Sequence, residues 1–316
     1  MNYSFLKGKS ILVTGGAGFI GYHLVKAIIK EKPAKLYIVD NLSTGLKSNV
    51  EDIIALQEVE FINEDIAKPS SVESIQELDY IFHLAAVVSV PKSFEMPFLT
   101  HRTNESGFIN MLELARKLKV KKLCYASSSA VYGEQTQMPI KETAHLNPQS
   151  PYGLSKLLNE QYAKAFQEWE NIESVGFRFF NVFGPGQRAD SPYSGVISIF
   201  MNRMQKDDSI QIFGDGEQIR DFVFVEDVVQ ALLLGAKSEQ KFGLFNVGSG
   251  QTTSLNQLYE VLKNITNYPR SPIYQKARKG DIKKSAANID LIKNSLSYQP
   301  LFKLEEGLNR IIKNMQ

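Results

Sequence analysis

The sequence predicts an α/β protein, in which a smaller mixed α/β lobe lies beside a doubly wound parallel sheet. Short β-branched runs alternate with longer amphipathic stretches, which is the strand–helix–strand order of a parallel sheet. The runs are almost wholly apolar, as expected of strands that are covered on both faces. The first run ends in a glycine-rich turn, TGGAGFIG, and an amphipathic stretch follows it. Together these three observations predict a Rossmann fold.

Six runs are predicted as strands of this sheet. In chain order they are SILVTGG from Ser10, KLYIVD to Asp40, VEFINEDI to Ile66, DYIFHLAA to Ala86, KKLCYASSS to Ser129 and SVGFRFFNVFG to Gly184. Between them, stretches such as IGYHLVKAIIKE and FINMLELARKL carry apolar residues at helical spacing. We therefore expect helices to cover the sheet.

The smaller lobe is expected to be built from separate segments of the chain. After Gly184, GPGQRADSPYSG and FGDGEQIRD are rich in Gly, Pro and charge and predict loops. By contrast, FVFVEDVVQALLLGA and FGLFNVGSG predict a helix and a strand that return to the sheet. We therefore divide the chain into a dinucleotide-binding domain, residues 1–182 plus about 222–250, and a substrate lobe, residues 183–221 plus 251–316.

Composition and charge argue against several classes of function. A formal net charge of +2, with no long basic block, argues against nucleic-acid binding. The N-terminal residues lack a secretory core, and no apolar stretch is long enough to cross a membrane. Cys124 is the only cysteine, so no intrachain disulfide can form and a reducing compartment fits. We expect a soluble, cytoplasmic protein without nucleic-acid or membrane partners and without a metal site.

The glycine-rich turn predicts a dinucleotide site. Gly15, Gly18 and Gly21 would let the backbone approach a pyrophosphate at the N-terminus of the next helix, although their spacing departs from G-x-G-x-x-G. Asp40 closes the second strand, where a carboxylate can bind the adenosine ribose and would repel a 2′-phosphate, so NAD is favoured over NADP. The alternative is that Asp40 is an ordinary turn residue. Asp65 ends the third strand, where a carboxylate can meet the adenine amino group.

One tyrosine–lysine pair is the candidate for acid–base chemistry. Tyr152 and Lys156 lie four residues apart in SPYGLSKLLNE, on one face of a predicted helix. A neighbouring ammonium favours the phenolate, so we expect Lys156 to lower the pKa of Tyr152. The same spacing also begins at Tyr3, Tyr22 and Tyr259, so spacing alone is weak evidence. Only the pair at Tyr152 follows a predicted strand by one loop on the carboxyl side, where open α/β sheets bind ligands.

That strand ends in three consecutive serines, Ser127, Ser128 and Ser129. The simplest explanation is that serine is common where strands become loops. However, the motifs TGGAGFIG, DNLSTG, HLAA, SSSAVYG, YGLSK, FRFFNVFGPGQ, GDGEQIRDFVFVEDV and RKGDI run in order across nearly the whole chain. In this combination the chain resembles the extended short-chain dehydrogenase/reductases that act on nucleotide sugars, in particular the UDP-hexose 4-epimerases.

The resemblance implies an NAD-dependent nucleotide-sugar 4-epimerase with tightly bound NAD. Ser128 is then the catalytic serine, Tyr152 the base and Lys156 its partner. Tyr152 takes the proton of the sugar's 4-hydroxyl while C4 gives a hydride to NAD⁺, and the transient 4-keto sugar is reduced again on its other face. Related 4,6-dehydratases carry Asp and Glu where this chain has Ser129 and Ala130. The serine run therefore favours epimerisation over dehydration.

The resemblance also assigns the residues that contact the two ligands. Besides Tyr152 and Lys156, those expected to bind NAD are Gly15, Gly18, Phe19, Ile20, Gly21, Asp40, Asn41, Ser43, Thr44, Gly45, Asp65, Ile66, Leu84, Ala85, Ala86, Val88 and Phe180. Those expected to bind the UDP-sugar are Ser89, Ser128, Ser129, Asn181, Gly195, Val196, Gln211, Phe213, Arg220, Arg278, Asp281 and Ser285.

Two positions bear on the identity of the hexose. In this family the seventh residue after the Arg of RKGDI is often a bulky Tyr that restricts the pocket to glucose and galactose, and this chain has Ser285. Glucose-specific members tend to carry Lys in the loop after HLAA, where this chain has Val88 followed by Ser89. Both differences favour UDP-N-acetylglucosamine and UDP-N-acetylgalactosamine, with UDP-glucose as a further substrate. Neutral drift at both positions is the alternative.

Three other functions stay open. The chain could be a UDP-glucose 4-epimerase, or a 4-ketosugar reductase, which would need exchangeable NADPH and is disfavoured by Asp40. It could also be a non-catalytic NAD-binding regulator, against which the intact Ser128, Tyr152 and Lys156 argue. The resemblance further implies a homodimer, in which the FINMLELARKL and YGLSKLLNEQYAKAF helices of two copies form a four-helix contact.

Overall fold

The computed structural model describes residues 3–188, 195–277 and 282–315. The strands among these residues are β1 Ser10–Thr14, β2 Lys35–Val39, β3 Val59–Ile62, β4 Tyr80–His83, β5 Lys122–Ser128, β6 Ser174–Phe179, β7 Asn181–Phe183, β8 Gln211–Phe213, β9 Ile219–Arg220, β10 Phe222–Phe224, β11 Phe242–Val247, β12 Thr253–Ser254, β13 Ile273–Gln275 and β14 Lys284–Ser285. The α-helices are α1 Phe19–Lys30, α2 Glu51–Ile54, α3 Val90–Glu95, α4 Pro97–His101, α5 Gly107–Leu118, α6 Pro151–Glu170, α7 Val196–Gln205, α8 Val225–Lys237, α9 Leu255–Thr266, α10 Asp290–Leu296 and α11 Leu304–Met315.

Seven parallel strands form the central sheet, in the order β3-β2-β1-β4-β5-β6-β11. The predicted doubly wound parallel sheet is therefore confirmed. Chain order reverses between β1 and β4, and open α/β sheets bind ligands at such a switch point, beyond the carboxyl ends of the strands.

Both faces of the sheet are buried, which explains why the strands are apolar throughout. In β1, Ile11 and Val13 belong to a core that α1 and α8 cover. Leu12 belongs to a second core on the opposite face, under α5 and α6. Successive side chains of a strand point to opposite faces, so a strand covered on both sides needs an apolar residue at every position.

The run SVGFRFFNVFG, expected as one strand, forms two. β6 lies in the central sheet, whereas β7 pairs with β10 in a separate two-stranded sheet. The chain changes partners at Phe180, whose N–H donates to Val247 O (3.0 Å), while the next N–H, that of Asn181, donates to Asp221 O (3.0 Å). An unbroken apolar run does not show this change, because both strands are buried.

The second lobe has its own apolar core. Helices α7, α9 and α11 contribute Phe200, Leu258 and Leu308 to it. Strand β9 lies between β12 and β14, and β8 pairs with β13. The exact division of the chain into two domains stays a prediction. No helix in the described part of the chain is long and apolar enough to span a membrane.

A buried carboxylate attaches the C-terminal segment to the sheet domain. Asp227, in α8, is fully buried, and its two oxygens accept the N–H groups of Leu301 (2.8 Å) and Phe302 (3.3 Å). Its neighbour Glu226 reaches α11 through an exposed ion pair with Arg310 (2.8 Å). Two adjacent acids therefore contact the same segment, one in the core and one in solvent.

We expect Asp227→Ala to lower the free energy of unfolding by about 2–3 kcal/mol, because two buried N–H groups lose their acceptor. Glu226→Ala is the matched control and should cost less than about 1 kcal/mol, since exposed ion pairs contribute little. Denaturant unfolding of both variants measures the difference. Equal losses would mean that the buried carboxylate does not attach the segment.

Candidate active site

The glycine-rich turn brings three backbone segments into close contact. Gly15 has a φ of +71°, and a Cβ there would lie 2.7 Å from Ala85 N. A Cβ on Gly21 would lie 2.0 Å from Gly15 O, so the first turn of α1 packs directly on the loop. No side chain caps the N-terminus of α1 at Gly18. Its helix N–H groups and dipole therefore suit a phosphate group, as a dinucleotide requires.

Asp40 lies beside this turn, at the end of β2. Its Oδ2 accepts the N–H of Ala17 (3.0 Å), and its Oδ1 accepts the N–H of Leu42 (2.8 Å). Burial raises the pKa of Asp40, although these backbone N–H groups oppose the shift. Gly45 approaches so closely that a Cβ there would lie 3.0 Å from both carboxylate oxygens. A carboxylate has about four lone-pair sites, and the N–H groups of Ala17, Leu42 and Gly18 use three, so one is left for a hydroxyl group. Binding of the NAD ribose by Asp40 stays a prediction.

The second acidic residue predicted to contact the cofactor, Asp65, is engaged within the protein. Asp65 accepts the N–H of Ala67 (3.0 Å) and is paired with Arg102 (3.1 Å). Ile66 is buried, and a Cβ on Gly107 would lie 2.5 Å from its Cδ1. A contact of Asp65 with adenine stays a prediction.

The remaining residues predicted to bind NAD lie in segments around the turn. Phe19 and Ile20 begin α1, and the N–H of Ser43 bonds the side chain of Asn41 (3.0 Å). Thr44 O accepts a bond from Arg188 (3.4 Å). The segment between β4 and α3 carries Leu84, Ala85, Ala86 and Val88, and Phe180 joins β6 to β7.

The three predicted catalytic residues lie together. Helix α6 begins at Pro151, and Ser150 caps it by accepting the N–H of Gly153 (3.0 Å). This places Tyr152 in the first turn, where its side chain is close enough to Ser128, at the end of β5, for the serine hydroxyl to lower the pKa of Tyr152. Lys156, one turn later, donates from Nζ to Ala126 O (2.8 Å). The helix therefore crosses the strand at its last residues.

Burial changes the proton affinities of both helix residues. It raises the pKa of Tyr152, which the hydrogen bond from Ser128 lowers by a smaller amount. It lowers the pKa of Lys156 to about 8. The Lys156 Nζ lies 6.0 Å from the Tyr152 ring centre and bonds a carbonyl instead. The expectation that Lys156 would lower the pKa of Tyr152 is therefore wrong for this structure, because desolvation is the larger effect.

Two polar residues that the sequence did not reveal hold the first turn of α6, which carries Tyr152, in place. Ser93 is buried, and its Oγ accepts the N–H of Tyr152 (3.1 Å). Asn104 lies in a π-helical turn between α4 and α5, where it donates to Ser155 Oγ (2.9 Å) and exchanges two hydrogen bonds with the backbone of Val87. π-Helical turns are frequent at functional sites. Both residues connect the segment after β4 to the start of α6.

The residues predicted to bind the UDP-sugar lie on several elements. In the sheet domain, Ser89 caps α3, Ser129 starts the turn after β5 and Asn181 starts β7. In the second lobe, Arg220 and Ser285 are paired across β9 and β14, Gln211 and Phe213 bound β8, and Gly195 and Val196 begin α7. Arg278 and Asp281 lie outside the described residues.

The start of α7 is tied to the preceding loop by a residue that the sequence did not indicate. Gln187 donates to Val182 O (3.1 Å) and accepts from Ser198 Oγ (2.9 Å). Within the described ranges, no group of three or more His, Cys, Asp or Glu side chains is placed to hold a metal ion.

Comparison with known proteins gives consistent matches. The model of the NAD-dependent epimerase/dehydratase family matches residues 11–248. A relative named as a putative UDP-glucose 4-epimerase, from Methanocaldococcus jannaschii, is 39% identical over 309 residues, which cover 97% of this chain and 98% of the relative.

Two solved structures align with a TM-score of 0.91 at 37% identity over 97% of this chain. One is a UDP-N-acetylglucosamine 4-epimerase from Methanobrevibacter ruminantium in complex with UDP-N-acetylmuramic acid, of which 98% is covered. The other is a UDP-glucose 4-epimerase from Thermotoga maritima with UDP-glucose, of which 100% is covered.

Proposed function

The chain belongs to the NAD-dependent epimerase/dehydratase family, and we propose that it interconverts the C4 epimers of UDP-N-acetylhexosamines through a transient 4-keto sugar. The observation that carries this proposal is the proximity of Ser128 to Tyr152 at the carboxyl edge of the sheet, at the end of β5, two strands from the strand that leads into the glycine-rich turn. A second candidate is a UDP-glucose 4-epimerase, favoured by the names of two of the similar proteins.

Each catalytic residue has a role that follows from its position. Tyr152 Oη takes the proton of the 4-hydroxyl and later returns it, as a general base and then a general acid. Ser128 Oγ accepts Ala130 N–H (3.1 Å), so its one proton serves Tyr152 in this structure and would turn to the sugar oxygen when substrate binds. Lys156 supplies an ammonium close to Tyr152. The glycine-rich turn and Asp40 would hold NAD⁺, which would supply the hydride chemistry.

The segment after Ser128 supports epimerisation rather than elimination of water. A dehydratase needs an acid–base pair to remove a proton from C5 and expel the 6-hydroxyl. Ser129 and Ala130 occupy the turn after β5 and offer no carboxylate. The 4-keto sugar then has reduction as its only outcome, and the cofactor returns to its starting state.

The residue at position 285 supports an N-acetylated hexose as substrate. Ser285 is 9% exposed and is the register partner of Arg220, a residue expected to bind the diphosphate. A serine at this position is much smaller than a tyrosine. The small side chain supports a 2-N-acetyl group on the sugar, and Ser89, which caps α3, would offer its hydroxyl to the amide.

An exposed apolar face supports the proposed homodimer. Trp169 is 74% exposed, Leu154 48% and Tyr162 38%, and all three lie on one face of α6. Phe98, in the neighbouring α4, is 75% exposed. Apolar side chains grouped in this way mark interaction surfaces. Of these helices, α6 is one of the two expected in the four-helix contact, whereas α4 precedes the other expected helix, α5.

Tyr152→Phe should reduce kcat for UDP-sugar epimerisation by at least about 100-fold, because proton transfer loses its base. Tyr22→Phe is the control, since Tyr22 stands before Lys26 with the same spacing and the Lys26 Nζ lies 4.4 Å from its ring centre. Its kcat should stay unchanged. NMR of the sugar anomeric protons measures both rates, and equal activity of the two variants would remove Tyr152 from its role.

Purified protein, without added cofactor, should convert UDP-N-acetylglucosamine to its C4 epimer. Ser285→Tyr should then lower kcat/KM for this sugar by about 100-fold while UDP-glucose conversion is retained, because a buried clash discriminates strongly. Ser285→Ala keeps the space and should retain both activities. HPLC of the UDP-sugars measures conversion. Conversion of UDP-glucose alone by the unmodified protein would establish the second candidate instead.

Sedimentation equilibrium should give twice the chain mass of 35.5 kDa. A Tyr162→Glu/Trp169→Glu variant should sediment as a monomer, because charges on a buried apolar face oppose association. Leu301→Glu is the control, since Leu301 is a 56% exposed apolar residue outside α6. A monomeric unmodified protein would contradict the homodimer.

A further inference from the structure

A buried ion pair lies directly behind the catalytic residues. Arg178, in β6, binds Glu160, in α6, through two parallel bonds: Nε donates to Oε1 (2.9 Å) and Nη2 to Oε2 (2.7 Å). The two side chains are 3% and 0% exposed. Among the ion pairs between described residues, no other has both partners so deeply buried.

Removing two charges from water often costs more free energy than their attraction returns. A pair of apolar residues would therefore stabilise this position as well or better. Apolar packing does not fix the orientation of a helix. A guanidinium does, because it binds a carboxylate through two parallel bonds in one plane. The ion pair thus gives α6 one defined rotation over the sheet.

The helix face that is oriented in this way is the catalytic face. Tyr152, Lys156 and Glu160 follow one another at intervals of four residues, so they lie on the same side of α6. Lys156 bonds Ala126 O (2.8 Å), and Glu160 Oε1 accepts the hydroxyl of Ser127 (2.5 Å). The two contacts fall on the strand residues immediately before Ser128.

Arg178 itself is held from the opposite side. Its Nη1 donates to Tyr132 OH (2.8 Å) and to Glu142 O (2.9 Å). Tyr132 OH in turn donates to Asn246 Oδ1 (2.6 Å) in β11. Arg178 and Ser127 are also register partners across β5 and β6. The Arg178 guanidinium therefore holds one position relative to both β5 and α6.

We propose that Ser127, Glu160 and Arg178 are positioning residues that orient α6 against the end of β5 and so keep Ser128 Oγ in hydrogen-bonding contact with Tyr152. The three consecutive serines then have different tasks. Ser127 faces Glu160 on the helix side of the sheet, and Ser128 contacts the reacting oxygen. The effect on turnover rests on the proposed function, whereas the effect on the contact between Ser128 and Tyr152 does not.

Glu160→Gln should reduce kcat by up to about 100-fold, because small displacements of catalytic groups are costly, while KM for the UDP-sugar stays within about threefold. Ser127→Ala, which removes one hydrogen bond, should reduce kcat by about 10-fold. The double variant should lose less activity than the product of the two single losses, because both residues belong to one hydrogen-bonded group. Arg178→Lys should also lower kcat, since an ammonium cannot form the two parallel bonds.

Ser174→Ala is the matched control. Ser174 is a fully buried serine in β6 whose hydroxyl has no hydrogen-bond partner among the described residues, so its removal should leave kcat unchanged. Bound NAD and the melting temperature are measured for every variant, and kcat is expressed per NAD-loaded molecule. If Glu160→Gln does not fold, Ser127→Ala carries the test, since it removes a single buried hydroxyl.

A crystal structure of Ser127→Ala and of Glu160→Gln gives a second readout that needs no substrate. We expect α6 to be rotated and the contact between Ser128 and Tyr152 to be lost. Variants with a lower melting temperature, an intact contact and unchanged kcat would overturn the proposal and leave the ion pair a purely structural role. An unmodified protein that is inert towards UDP-sugars would instead reject the proposed function, and the crystal structures would still decide the positioning role.

Discussion

Because β1, β2 and β4 pair in register, Thr14, Val39 and His83 lie side by side where their strands end. The following backbone continues this pairing: Gly15 N–H donates to Val39 O (2.7 Å) and Leu84 N–H to Thr14 O (3.1 Å). A slip of one residue would turn every side chain to the opposite face of the sheet, which is buried on both sides. The register therefore fixes where the glycine-rich turn, Asp40 and the segment before α3 meet. The rest of the site is built onto this edge.

Short segments of the sequence were sufficient to predict which residues would bind NAD. The glycine turn is a contiguous segment, and Asp40 follows from the strand that ends there. The predicted catalytic pair was harder to identify from the sequence, because the Tyr-x-x-x-Lys spacing is also present at Tyr22 and Tyr259. Only the position of Tyr152 after the serine-ended strand separated it from the others. Spacing describes one helix face, whereas the site depends on which strand that face contacts.

Contacts between distant segments account for what the sequence did not reveal. Ser93 and Tyr152 are 59 residues apart, and Ser127 and Glu160 are 33 apart. A buried serine in a short helix and a glutamate in a long one have no local signature that distinguishes them from ordinary residues. The break at Phe180 is similar, because two buried strands in different sheets read as one apolar run. Such features follow from tertiary packing and from no local pattern.

Burial also sets the order in which the catalytic groups lose their protons, and this order differs from that of the free side chains. Free tyrosine and lysine have pKa values of about 10 and 10.4, so they ionise together. In the site, burial raises the pKa of Tyr152 and lowers that of Lys156 to about 8, so Lys156 loses its proton first. Desolvation thus favours the neutral form of both groups. In the proposed mechanism Tyr152 first takes a proton and then returns it, so a raised pKa favours the second step and opposes the first. The interaction with Ser128 has the opposite effect, because it stabilises the phenolate and lowers the pKa of Tyr152. The contact between Ser128 and Tyr152 therefore helps to set that pKa. A small rotation of α6 would change that balance, which is why the buried ion pair behind the helix matters for chemistry as well as for folding.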